Sequence, residues 1–418
     1  MNLIHVGFLS SLFIIIKIIS MILINKILAL TVGPTGYAIF GQFQNLLTVF
    51  NTIGTGGVSD GLVKYTAENN KNSIIQKQFW ITALIICLIL SIVSALIIIF
   101  SSKYISYELF RDKIYTPSII LMGLLLPIIT LNVILLAILN GKKESSVYVI
   151  ANIFSSISVL FFVIIGLWKY GLNGALAGLI FGQAAACFYV LWKIREKKII
   201  DYKLLNIKFN NKYAKLLSGY TIIALTTSVL GPFTQIVIRN SIIDDLGIIS
   251  AGYWEAMTRI SSALIMLVTT PLYIYYLPRL AELKNSLEIK NEIISTYKAI
   301  IPAAISIGFF IYIFRMYIIE YLLSNEFHMI GILFKAQITS DIVRIFAWVL
   351  SFYLLAKGRV KSFIAIEITL NISLIIICKI AISNFGIIGL PYANLINNIV
   401  YLMVLIIIVK NELKINHQ

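Results

Sequence analysis

Charge is what this sequence has least of. Only 12% of its 418 residues are Asp, Glu, Lys or Arg, about half the roughly 25% of a soluble domain. With 59% hydrophobic residues and a mean hydropathy of +0.93, no soluble fold of this size could hide its apolar surface. That excludes a cytosolic enzyme. Polar alternation is missing too: runs such as 81–100 and 400–409 are almost continuously apolar, whereas strands of a membrane barrel alternate. Helices therefore cross the bilayer. Cysteine is scarce, and Cys87, Cys187 and Cys378 all lie inside apolar runs, where free thiols behave as small hydrophobes. The three histidines, His5, His328 and His417, are scattered. With no zinc-ligand spacing and no phosphate-cradling motif, nothing calls for a cofactor or a catalytic centre. The N-terminus lacks a basic segment and a small-residue cleavage site, so it reads as a retained first helix.

A crossing helix needs about 20 mostly apolar residues. That ruler gives about twelve spans: 5–30, 37–63, 78–101, 117–140, 146–168, 171–193, 215–239, 248–276, 294–317, 331–356, 361–382 and 387–409. An even number puts both termini on one side. The net charge of +16 would suggest nucleic acid in a soluble protein, but here it sorts by loop. With cytoplasmic termini, 22 of the 34 Lys and Arg fall on the inner side, 9 on the outer side and three within spans. Lys and Arg favour the cytoplasmic side, so most of the excess is an orientation signal, with contact to membrane lipid as a by-product.

The chain also repeats itself. Lys64 and Arg279, each after an apolar helix, are offset by 215, as are Gly171-Leu-Asn-Gly174 and Gly386-Ile-Ile-Gly389. The loops Asn140-Gly141-Lys142 and Lys357-Gly358-Arg359 match at 217, Gly36-Tyr37 and Gly252-Tyr253 at 216, and Lys26 and Arg239 at 213. The unit is six helices, and an even number inserts both copies the same way up. The expected architecture is an all-α integral membrane protein of two six-helix bundles, 1–200 and 201–418.

Ionisable residues within spans are functional candidates. Lys17 has no acidic neighbour on its own helix and is expected to line an aqueous cavity. Glu255 and Arg259 (i,i+4) and Asp341 and Arg344 (i,i+3) each share a helix face, as neutralising pairs or as cavity walls. Lys26 and Arg239 end spans one and seven, where they snorkel to the interface or touch substrate. Asp60 and Lys64 read as a structural pair, and Glu367 sits in span eleven. Gly54-Thr-Gly56-Gly57 permits close packing or a hinge within span two. Pro127, Pro232, Pro271 and Pro302 mark kinks.

Several stretches then resemble one family. Lys17-Ile-Ile-Ser-Met-Ile-Leu-Ile-Asn-Lys26-Ile-Leu-Ala with Gly33-Pro34-Thr-Gly36 is similar to the first helix and turn of Wzx-type flippases. So are Gly54–Gly57 with Val63-Lys64-Tyr65, Leu277-Pro278-Arg279-Leu280, Leu322-Leu-Ser324-Asn-Glu-Phe327, Asp341-Ile-Val-Arg344, Leu355-Ala356-Lys357 and Glu367. The match runs nearly end to end and looks nearest to O-antigen translocases and the enterobacterial common antigen lipid flippases. Relatives often keep an uncharged residue where this chain has Glu255.

The resemblance implies a fold like that of multidrug extrusion (MATE) transporters. It also implies movement of an undecaprenyl-pyrophosphate-linked O-antigen or related unit to the periplasmic leaflet of a bacterial inner membrane. Lys17, Lys26, Arg239, Arg259 and Arg344 would then meet the pyrophosphate. Asp60, Glu255, Asp341 and Glu367 would couple a proton or sodium ion or gate the path, and a polymerase and chain-length regulator would be partners. A cation-coupled drug exporter of the same superfamily is the chief rival, though its cavity would favour carboxylates. A major-facilitator carrier lacks support because the arginine expected beside Asp60 is absent. A polymerase or ligase would need a larger outer loop than 102–116.

Overall fold

The structure is a computed structural model that describes residues 3–70, 72–197, 209–283 and 285–415. No strand occurs among the described residues. The helices are α1 (Leu3–Thr31), α2 (Gly33–Gly54), α3 (Ser59–Glu68), α4 (Ser73–Phe100), α5 (Ser102–Phe110), α6 (Thr116–Gly141), α7 (Ser145–Glu196) and α8 (Asn211–Ala224). They continue with α9 (Leu230–Leu246), α10 (Ile248–Pro271), α11 (Leu277–Glu282), α12 (Ser286–Ile313), α13 (Arg315–Leu322), α14 (Phe334–Ala356), α15 (Val360–Phe385) and α16 (Gly389–Ile415). Among the described residues, eight helical stretches are long and apolar enough to cross a membrane. Two of these, Ser145–Glu196 and Val360–Glu412, hold 52 and 53 residues. At about 1.5 Å per residue each is more than twice as long as one crossing of a roughly 30 Å hydrocarbon core.

Both long stretches turn at a glycine. In α7 the helix breaks at Tyr170 and Gly171, with Gly171 at φ 59° and ψ −145°. Between α15 and α16 the break is Gly386, at φ 60° and ψ −148°. These two glycines sit 215 residues apart and adopt the same left-handed conformation, which a side chain would oppose. Lys143 (φ 61°) and Gly358 (φ 68°) form a second matched pair of turns. The internal repeat read from the sequence is therefore a repeat of backbone conformation.

The chain divides into two units, one of 1–32 with 39–236 and one of 33–38 with 237–418. The boundary expected at 200/201 lies outside the described residues.

In the first unit the helices show the membrane's inverted rule for side chains. Along α4, Leu88, Ile89, Ile92, Val93, Leu96 and Ile97 are exposed, whereas Ala83, Cys87, Ser91, Ser94 and Ala95 are buried. Lipid solvates large apolar groups as well as protein does, so small residues take the interfaces where backbones approach. The extreme case is the α7 hairpin. A Cβ on Gly174, Gly178 or Gly182 would collide with the backbone of Gly166, Phe162 or Val159 respectively. Antiparallel helices can touch along this line only because each fourth residue lacks a side chain. The expected span 37–63 is two helices, because Gly56 (φ 64°) and Gly57 (φ 61°) form a turn between α2 and α3. That turn is pinned by Thr221 Oγ1, which donates to the Gly56 carbonyl at 2.6 Å. Below it, Trp80 Nε1 donates to Thr66 Oγ1 at 3.0 Å and Gln76 Nε2 to the Thr66 carbonyl at 2.7 Å.

In the second unit, Leu272, Tyr276, Leu280, Leu350, Tyr353, Leu354 and Leu405 form one core, and Ala38, Ile238, Trp254, Cys378, Ile382 and Leu390 form another. The three cysteines are buried and free. The prolines act unevenly. Pro127 and Pro302 sit inside intact helices, whereas wide π turns at Leu225–Val229 and Leu272–Tyr276 precede Pro232 and Pro278. A proline offers no N–H to the carbonyl four residues back, and widening the turn re-routes the ladder. Lys357 follows α14 and its Nζ donates to the carbonyls of Leu280 and Leu283, satisfying the end of α11. Burial draws the Lys357 ammonium below its ordinary pKa.

Candidate functional site

Most of the charges forecast within spans gather in the second unit, in two neighbourhoods. The first is a buried triad. Glu255 on α10 accepts from Arg259 Nε through Oε1 at 2.7 Å and from Arg239 of α9 through Oε2. Arg239 is 1% exposed and Glu255 6%, so Arg239 does not snorkel to an interface. It has turned inward because the only way to keep a guanidinium out of hydrocarbon here is to share a carboxylate. Two arginines on one glutamate leave the cluster with an excess positive charge. Arg259 lies 5.0 Å from the Tyr37 ring, an aromatic face that suits a guanidinium. Tyr37, on the first turn of α2, had no sequence signal of its own.

The second neighbourhood is a polar cavity with about 50 Å³ of water-sized space among α14, α15 and α16. Its walls include Asp341, Arg344, Glu367, Asn371, Asn397 and Tyr401. Asp341 is 1% exposed. Its Oδ1 accepts from Ser261 Oγ at 2.8 Å and from Gln337 Nε2 at 2.9 Å. Its Oδ2 is buried without a hydrogen-bond partner among the described residues. Asn394 Nδ2 donates to Gln337 Oε1 at 3.2 Å, and Asn398 Nδ2 to Ser340 Oγ at 2.9 Å. Tyr401 OH donates to Glu367 Oε1 at 2.8 Å, and Ser373 Oγ to Asn397 Oδ1 at 2.6 Å. A cavity of this size holds a few waters or one small cation, since each water needs roughly 10–15 Å³ of such space.

Asp341 and Arg344 do not form an ion pair. Asp341 turns to the hydroxyl and amide donors, while Arg344 sits 5.2 Å from the Trp348 ring. The spacing i,i+3 allowed the pair, but better-placed neutral donors and an aromatic face took the two groups apart. Asp60 and Lys64 do not pair either. Asp60 is exposed in the first turn of α3, where a carboxylate favours the helix dipole, and Lys64 reaches Glu68 at 3.8 Å. Lys17 is exposed on α1, 5.8 Å from the Phe13 ring, and Lys26 is half-buried nine residues on. Neither belongs to the triad or to the cavity lining.

The residues that sequence reasoning missed are mostly asparagines. Asn394, Asn397, Asn398 and Tyr401 follow the spacing i, i+3, i+4, i+7, one face of α16, and Glu367 with Asn371 is the i,i+4 counterpart on α15. That periodicity was the available signal. No group of three or more His, Cys, Asp or Glu able to hold a metal occurs among the described residues.

With this geometry in view, similarity to known proteins is consistent along the chain. The Lipid III flippase of Escherichia coli (strain K12) is 26% identical over 386 residues, covering 92% of this chain and 93% of that protein. Among solved structures, an inward-facing multidrug resistance MATE family transporter of the MOP superfamily shares the fold with a TM-score of 0.80. Its identity is 15%, over 98% of this chain and 99% of that one. The Lipid II flippase MurJ, in an inward closed conformation, matches with a TM-score of 0.75 at 16% identity, over 97% and 87%. These fix an all-α fold, in agreement with the MATE-like expectation. The family described as "Polysaccharide biosynthesis protein" matches residues 5–284, well over half of the sequence, and the chain belongs to that family.

Proposed function

We propose that the protein is a lipid-linked oligosaccharide flippase of the bacterial inner membrane, moving an undecaprenyl-pyrophosphate-linked glycan from the cytoplasmic to the periplasmic leaflet by alternating access. The observation that carries this reading is the 26% identity to a Lipid III flippase across 92% of the chain. The chemistry is in accord with it. A pyrophosphate and a glycan cannot cross hydrocarbon unaided, and the buried arginine excess around Glu255 is a cationic feature that a drug exporter for cationic substrates would not need. Arg259, Arg344 and Lys17 are the groups assigned to the pyrophosphate, which they would hold by charge-assisted bonds. Lys26 is kept as a further contact, and Arg239 positions Glu255. Such a protein is a transporter rather than a catalyst. The loop distribution of Lys and Arg favours cytoplasmic termini. A polymerase and a chain-length regulator are the partners that would take up the product.

Coupling is assigned to the polar cavity. Asp341, with one unpartnered buried oxygen, and Glu367, under Tyr401, are the carboxylates that would take a proton or a sodium ion. Asp60, exposed on α3 of the first unit, is left as a gate.

Two measurements test this reading. Deleting the gene should build up the lipid-linked glycan on the cytoplasmic face. Reconstituted protein should move a labelled lipid-linked glycan across liposomes, faster with an imposed pH or sodium gradient. Export of cationic dyes without glycan translocation would overturn the proposal in favour of a drug exporter.

A further inference from the structure

A second, larger cavity of about 750 Å³ opens between α12, α14 and α16 of the second unit. It is apart from the triad and the polar cavity, and shares no lining residue with the latter. Its volume lies within the roughly 300–1,000 Å³ of small-molecule sites. The walls are apolar: Ile293, Ile294, Ile301, Phe346, Leu402 and Ile406 among them. Polar side chains concentrate at one end, where Lys290 of α12 and Lys410 of α16 stand beside Ser286.

Those two lysines are exposed and make no ion pair among the described residues. Glu288 and Glu292 stand two residues either side of Lys290, off its helix face, and Glu292 and Glu412 are engaged with Arg279 at 4.0 Å and Arg359 at 3.2 Å. The rim therefore carries two uncompensated positive charges over an apolar cleft. The depth can be read along the helices. Lys290 to Ile301 is eleven residues and Lys410 to Leu402 is eight, which at about 1.5 Å per residue gives roughly 12–16 Å. One leaflet of a bilayer contributes about half of its roughly 30 Å hydrocarbon core. The cleft is thus about as deep as one leaflet, and its two lysines stand just outside the expected spans 294–317 and 387–409.

We propose that this cleft binds an anionic phospholipid of the leaflet that Lys290 and Lys410 face, with an acyl chain between α12, α14 and α16 and the phosphate on the two lysines. The occupant is a bilayer lipid rather than the polyprenyl tail of a cargo, because the depth ends where a single leaflet ends. A lipid there would tie the ends of α12 and α16 together and make the protein's behaviour depend on membrane charge, whatever substrate it carries.

The test is native mass spectrometry of the full chain released from nanodiscs of equal phosphatidylglycerol and phosphatidylethanolamine. Undecaprenyl phosphate is added in a parallel arm. The native protein should retain phosphatidylglycerol over phosphatidylethanolamine. Each lysine near anionic lipid is worth about fivefold, so Lys290→Gln with Lys410→Gln should lower that preference about 25-fold. Ile294→Trp, at a half-exposed wall position, should lower retention of both phospholipids by filling the cleft. The control pair Lys215→Gln with Lys361→Gln removes equal exposed charge from α8 and α15, which contribute no wall to the cleft, and should change nothing. Size-exclusion profiles and helical circular dichroism verify folding for each variant. Unchanged preference in the folded double variant would overturn the proposal. So would displacement of phosphatidylglycerol by undecaprenyl phosphate, or equal losses in the control pair.

Discussion

Glu255→Gln should be among the most damaging single changes in the second unit, although it alters one atom. The side chain is buried and holds Arg239 through one oxygen and Arg259 through the other. Glutamine keeps the volume and can still accept one hydrogen bond, but it removes the only counter-charge in the triad. Arg239 is 1% exposed, so water cannot screen what remains. Removing one partner of a buried ion pair costs about 3–5 kcal/mol because the other charge is left uncompensated. For a unit of this size that is a fall of about 6–20 °C in apparent melting temperature, read by thermal size-exclusion in detergent.

The same reasoning fixes the second arm of the cycle. If the loss comes from stranded charge, Arg239→Gln on top of Glu255→Gln should recover much of it, since Arg259 keeps the Tyr37 ring and 17% side-chain exposure. A positive coupling of about 2 kcal/mol or more between the two sites is expected, within the range for contacting residues. A Glu255→Gln protein as stable as the native one would refute the electrostatic account. A double variant less stable than the single would refute it equally.

Three further outcomes follow from the packing. Gly178→Leu drives a side chain into the Phe162 backbone and should abolish the monodisperse size-exclusion peak, whereas Ala186→Leu, on a buried but glycine-free stretch, should cost only the few kcal/mol of overpacking. Asp341→Asn retains the acceptor used by Ser261 and Gln337 but cannot exchange a proton. It should remove the response of glycan flipping to an imposed gradient in proteoliposomes while leaving glycan binding intact, and persistence of that response would exclude Asp341 as the coupling site. Asn397→Leu removes one acceptor of the Ser373 hydroxyl, which keeps the Leu370 carbonyl at 2.9 Å, at about 0.5–1.5 kcal/mol, and puts apolar surface into the polar cavity. Flipping should fall with little change in expression, and full activity would show that the cavity is only structural.

The membrane helices were legible because lipid selects for composition, and composition is local. The repeat was legible for a related reason: Gly171 and Gly386 are demanded by a turn that few other residues adopt. The break at Gly56–Gly57 was underestimated because a glycine cluster serves close packing and turning alike, and only the register of α3 distinguishes them. Glu255 with Arg259 could be paired from spacing, since both lie on α10. Arg239 could not, because its partner is 16 residues away across a helix turn, and a cation near a span end is usually a snorkelling one. Asp341 and Arg344 show the opposite failure. Their spacing permitted a bond, yet Ser261, Gln337 and Trp348 offered each group a better partner. Spacing reports opportunity; packing decides the outcome.

The matched turns also explain why the polar cavity belongs to the second unit. Carrying the offset of 215 along the hairpins pairs Gly174 with Gly389, Gly178 with Ala393 and Gly182 with Asn397. In the first unit all three are glycine, and the two arms of α7 meet backbone to backbone as far as Val159. In the second, only the position next to the turn stays glycine, and its approach to the Ala381 carbonyl is correspondingly close. The next two grow to a methyl and then to an amide. An amide cannot enter the space where a hydrogen sat, so the arms must stand apart at Asn397, and the gap must be polar because asparagine brings donors and acceptors that lipid cannot satisfy. Ser373, Asn394, Asn398 and Tyr401 then follow as its partners, and the carboxylates of Asp341 and Glu367 can be tolerated beside them. One duplicated hairpin has thus been closed with glycine for rigidity in one copy. In the other it is opened with asparagine, which gives the second unit a polar interior.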